Sequence, residues 1–99
     1  MGNMDTRYQV REDFVHRQMA QADVLISIGA NVANFNGYIT LNPTASFLWD
    51  ALSQPRTAGE LTDLLTAEFD VTLETAGKDV TLFLEMLRHN EMVNVYEEP

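Results

Sequence analysis

Apolar residues are distributed differently in the two halves of this chain. In the first half they come as short runs rich in Val, Ile, Leu and Phe, at Phe14–Met19 and residues 23–28. Such runs predict strands, because branched and aromatic side chains suit a pleated surface. Ala20-Gln21-Ala22 is placed to turn between them, and residues 31–35 form a weaker third run. Asn36-Gly37 is a strong turn signal, since both residues tolerate positive φ. Tyr38–Leu41 follows with strong strand character.

The second half changes period. Asn42-Pro43 combines a helix cap with proline at the first helical position, where a missing N–H costs nothing. Ala45, Leu48, Trp49 and Leu52 then recur at helical spacing, and Gln54-Pro55 ends the helix. Thr57-Ala58-Gly59-Glu60 reads as a capping box, in which hydroxyl and carboxylate each satisfy an orphan N–H. Leu61, Leu64, Leu65 and Phe69 form the apolar face behind it. Thr72 caps a third, longer helix with Glu74 in its first turn. Leu73, Ala76, Val80, Phe83, Leu84 and Leu87 are its expected core stripe. Arg88 and His89 suit its end, and Asn90 is the expected left-handed stop. Residues 92–96 predict a short final strand.

Strands followed by helices imply an α+β domain. A small antiparallel sheet from the N-terminal half, packed on three C-terminal helices of which the third is longest, predicts a winged-helix-like arrangement. The 99 residues suit a single domain, 1–99, with an ordered core over about 13–96. A domain of this size buries roughly 60–68% of the surface its unfolded chain exposes, enough for one modest core.

Charge and chemistry narrow the function. Net charge is −9, with six basic residues spread along the chain. Nucleic-acid affinity comes largely from lysine and arginine neutralising phosphate, so neither a nucleic acid nor an anionic membrane is an expected partner. There is no cysteine, which excludes disulfides, thiolate nucleophiles and cysteine metal sites. The N-terminus carries no signal-like apolar stretch, although Met1-Gly2 with Thr6 fits the loose myristoylation pattern. The expected location is cytoplasmic. His16 and His89 are the only histidines, and both read as surface residues. No nucleophile–base pattern, glycine-rich phosphate loop or metal spacing stands out. The expectation is a protein that is not an enzyme, with no metal and no cofactor.

The order of these signals resembles the PqqD family. The stretch from Asn36-Gly37 through Tyr38-Ile39-Thr40-Leu41-Asn42-Pro43-Thr44-Ala45-Ser46-Phe47-Leu48-Trp49 is similar to its pattern of glycine turn, short strand, Leu-Asn-x-Thr and an apolar residue or tryptophan in the first helix. Thr57, Glu60 and Leu61 resemble the start of its second helix. Asp79, Val80, Phe83, Leu84 and Leu87 resemble its third. One departure is visible: family members usually place glycine before the final apolar pair, where this chain has Glu91 before Met92-Val93.

The resemblance implies a non-catalytic module that captures the leader segment of a ribosomally made precursor peptide. The leader adds as an extra strand, in a groove between the last strand of the hairpin and the third helix. The module then presents the precursor to a peptide-modifying enzyme, a radical S-adenosylmethionine enzyme or a leader peptidase. Carried onto this chain, the strand edge is Tyr38, Ile39, Thr40 and Leu41. If Ile39 and Leu41 face the core, Tyr38 and Thr40 face away. Tyr38 is then a rim contact or an ordinary strand aromatic. On the third helix, Leu82 and Met86 lie four apart beside the core stripe, with Asp79 a turn before Leu82 on the same flank. They line the groove, or they widen the core face. Lys78 and Glu85 are rim charges or solvated surface. Two other classes remain open: a winged-helix DNA-binding regulator, and a generic dimerisation or adaptor domain that pairs its open sheet edge in a homodimer.

Overall fold

The three helices begin where side-chain caps replace the missing backbone partners. The computed structural model describes residues 6–19, 22–27 and 38–97. The expected turn at Ala20-Gln21, the run at 31–35 and the turn at Asn36-Gly37 lie outside the described residues. Helix α1 (Pro43–Ala51) starts on Asn42, whose Oδ1 accepts from the Ala45 N–H at 2.8 Å. It closes on Leu52, a little before Gln54-Pro55. Helix α2 (Ala58–Glu68) opens with the expected capping box. Thr57 Oγ1 accepts from the Glu60 N–H at 3.1 Å, and the Thr57 N–H donates to Glu60 Oε1 at 3.0 Å. Helix α3 (Leu73–His89) starts on Thr72, which accepts from the Thr75 N–H at 3.1 Å.

The end of α3 departs from expectation. Asn90 stays right-handed at φ −96°, and the left-handed residue is Glu91, at φ 57°. The Met92 N–H donates to Leu87 O at 2.8 Å and the Glu91 N–H to Arg88 O at 3.1 Å. That double return is a Schellman stop, and Leu87 and Met92, both fully buried, make its apolar contact. Glycine is favoured at this left-handed position because it has no Cβ. Glu91 fills it instead, and Arg11 Nη1 holds its carbonyl at 2.9 Å.

Among the described residues the strands form two antiparallel sheets of three, where a single N-terminal sheet is expected from the sequence. The first sheet has β1 (Arg7–Val10) at its centre, between β5 (Arg56–Thr57) and β6 (Val93–Tyr96). Two of its three strands thus come from the C-terminal half. The second sheet runs β2 (Phe14–Met19), β3 (Ala22–Ser27), β4 (Tyr38–Leu41). In it Leu25 stands opposite both His16 and Ile39, and Val24 opposite both Arg17 and Thr40.

One core joins these layers. Leu25 and Leu41 of the second sheet pack with Leu48 and Trp49 of α1, Leu61 and Leu65 of α2, and Ala76, Val80, Phe83, Leu84 and Leu87 of α3. Tyr8, Val10 and Val95 pack against it from the first sheet. Leu73, expected in the α3 stripe, is 64% exposed. It is the first residue of the helix and projects past the core, so the buried stripe begins at Ala76.

Candidate functional site

Strand β4 pairs with β3 on one side, and no described strand pairs with it on the other. Among the described residues that side of β4 meets no partner strand, which is the arrangement strand addition requires. The alternation expected for it is present. Leu41 is buried, Ile39 packs against the core, and Thr40 is exposed. The side chain of Tyr38 lies outside what the structure describes.

The next residue, Asn42, opens a cavity of about 300 Å³ between the start of α1 and the middle of α3. Thr44, Ala45 and Leu48 line it from α1, and Asp79, Leu82 and Phe83 from α3. The Thr44 hydroxyl donates to Asn42 Oδ1 at 3.0 Å, so one oxygen caps the helix and fixes the mouth of the cavity. Asp79 is half-buried, and its carboxylate has no partner among the described residues. Leu82 is 64% exposed.

Of the side chains singled out from sequence, Asp79 and Leu82 share this cavity. Lys78 is exposed and lines a separate apolar hollow with Leu73, Gly77, Thr81 and the far side of Leu82. Glu85 is exposed. Met86 was expected beside the core stripe; it is half-buried and packs against the core. A helix this closely covered presents a wider apolar face than a minimal stripe. The α1 wall, from Asn42 to Leu48, was read from sequence only as cap and core.

A polar hub fastens the second sheet to α1. His16 Nδ1 lies 2.8 Å from Asp50 Oδ1, while Nε2 lies 3.1 Å from Asp23 Oδ1 and 3.0 Å from Ser46 Oγ. Burial alone would lower the His16 pKa. Hydrogen bonds and charge from Asp50 and then Asp23 outweigh it and raise the imidazole above its ordinary 6.5. The connectivity Ser46–His16–Asp50 is that of a hydrolase triad, but the ring nitrogen that faces the Ser46 hydroxyl is shared here with the Asp23 carboxylate. The hub thus ties β2 and β3 to α1, and β4 is joined to it through the β3 ladder, where Asp23 stands opposite Leu41. Among the described residues no group of acids and histidines has the arrangement of a metal site.

Fold and edge together define a small α+β domain whose second sheet, among the described residues, ends in β4. Residues 24–93 match the family of coenzyme PQQ synthesis protein D (PqqD), and the chain belongs to that family. Two solved structures share the fold. One is described as TbiB1 in complex with the TbiA(beta) leader peptide, at 22% identity and TM-score 0.69 over 91% of this chain and 99% of that one. The other is lasso peptide synthetase B1 complexed with the leader peptide, at 22% identity and TM-score 0.68 over 88% of this chain and 96% of that one. No match was found among curated proteins.

Proposed function

We propose that this protein is a non-catalytic module that captures the leader segment of a ribosomally made precursor and presents it to a modifying enzyme. The observation that carries the reading is the open edge of β4, which runs into the cavity between α1 and α3. An edge supplies sequence-tolerant backbone hydrogen bonds, and adjoining pockets add side-chain selectivity. The two solved structures of the same fold are complexes with leader peptides, which supports the same use here. The enzyme served is of the radical S-adenosylmethionine or leader-peptidase kind, and the encounter takes place in the cytoplasm. No helix among the described residues is long and apolar enough to cross a membrane.

Proline scanning of β4 tests the mechanism. In an antiparallel pair, facing residues alternate between exchanging both backbone hydrogen bonds and exchanging none. Leu25–Ile39 and Val24–Thr40 are successive facing pairs. One of Ile39 and Thr40 therefore donates into the sheet and the other points outward. Ile39→Pro and Thr40→Pro, made singly, should behave oppositely: one folds poorly, and the other folds well but loses the peptide. The probe is a synthetic leader from a candidate precursor, sought as a short reading frame in the neighbouring genes, titrated by fluorescence anisotropy. Two folded variants that both bind as tightly as the parent would refute strand addition at β4.

A further inference from the structure

We infer that the cavity at the end of β4 selects a lysine or arginine side chain of the bound peptide, with Asp79 setting that preference. The inference rests on the strand-addition reading. An added strand lying along β4 passes Asn42, so one of its side chains reaches the cavity there. The wall it meets joins an apolar part, Ala45, Leu48, Leu82 and Phe83, to a polar part, Asn42 and Thr44, and Asp79 is the formal charge among its lining residues. Long basic side chains fit this combination, because their methylene stems cover apolar surface while the head group reaches a polar partner.

Asp79 is suited to be that partner. It is half-buried, and no described residue satisfies its carboxylate in the free protein. Its sequence neighbour Lys78 is directed to the hollow on the other flank of Leu82 and makes no ion pair with it. The N-terminus of α1 also borders the cavity, but Asn42 takes up the Ala45 N–H there. The partial charge of a helix end is about half that of a carboxylate, so the cavity remains negative. A glutamate or aspartate at the same peptide position meets like charge in a partly desolvated site. An uncharged apolar residue leaves Asp79 covered and unpaired.

The test is a displayed library of short random peptides, selected on the immobilised full chain and on its Asp79→Asn and Asp79→Lys variants. Melting temperatures of both variants should match the parent, since no bond of Asp79 to a described residue is lost. Peptides enriched by the parent should share a basic residue at one position. Asp79→Asn should lose that preference, and Asp79→Lys should turn it toward aspartate and glutamate. In a synthetic copy of an enriched peptide, norleucine at that position should weaken binding to the parent about tenfold, equivalent to about 1.4 kcal/mol. The same change should leave binding to Asp79→Asn unaltered. Enriched peptides with no shared basic position, or an unchanged preference in Asp79→Lys, overturn the role of Asp79 and leave strand addition standing. No enrichment over an uncoated surface overturns the peptide-binding reading and this inference with it.

Discussion

Replacing His16 with glutamine should destabilise the protein in a pH-dependent way. The side chain is 19% exposed and holds two carboxylates, Asp50 at 2.8 Å and Asp23 at 3.1 Å. A hydrogen bond to a charged group contributes about 1.5–3 kcal/mol when sheltered from water. Asp50 is 63% exposed, and screening reduces its share to about 0.5 kcal/mol. Asp23, at 31%, keeps about 1 kcal/mol. The sum of about 1.5 kcal/mol corresponds to a fall in Tm of about 6–12 °C for a domain of this size. The sign of the pH effect follows from the raised pKa. Below the unfolded value near 6.5 both states carry the proton, and the stabilisation is complete. As pH rises through the higher folded value the imidazolium is lost, and the stabilisation declines with it. The Tm difference between parent and His16→Gln should therefore be largest near pH 5.5 and shrink toward pH 8.5. Differential scanning calorimetry across that interval measures it, and other titrating groups cancel between the two proteins. A difference that is constant with pH, or that widens toward alkaline pH, would show that His16 is not a protonated bridge.

Other substitutions separate binding from folding. Leu82→Asp should leave stability within about 0.5 kcal/mol, because Leu82 is already exposed. It should weaken leader binding about tenfold or more in a titration, since the new charge loses hydration against the peptide; unfolding of the variant would place Leu82 in the core. Leu87→Asp, at a fully buried position, should unfold the domain by circular dichroism. Glu91→Gly should raise stability by about 0.5–1 kcal/mol in urea denaturation, because glycine relieves the left-handed strain at φ 57°. A loss of stability there would mean that the Glu91 side chain contributes more than its backbone strain costs.

The features legible in the sequence are those set by neighbouring residues. Asn42, Thr57 and Thr72 cap helices through bonds three residues long, and β2 and β4 fall where their branched runs predict them. Strands β1 and β5 were not legible. Arg7–Val10 is charged and only half-buried, and its register is set by Arg56–Thr57 and Val93–Tyr96, far along the chain. The His16 hub was hidden for the same reason, since Asp50 and Ser46 come from a different element. At Glu91 the Schellman stop places a left-handed backbone under a side chain that disfavours it, so residue type alone did not mark the position. At the site, helical period placed Leu82 and Asp79 on one flank. Only packing could reveal that the opposite wall is the first turn of α1.

The central place of β1 in its sheet has a consequence for biosynthesis. However the chain is extended at either end, β1 leaves the ribosome well before β6, the strand with which it forms its longest pairing. At about 5–20 residues per second, the wait is on the order of ten seconds. The sheet of β2, β3 and β4 joins segments close in sequence and is free to close earlier. During the interval Tyr8 and Val10 lack the core surface that Met92 and Val93 complete. Pairings this distant in sequence form slowly, because loop-closure entropy is lost before contacts compensate it. Closure of β1 between β5 and β6 thus waits for the last strand to be made, and until then the edge of β4 stands on a half-built domain.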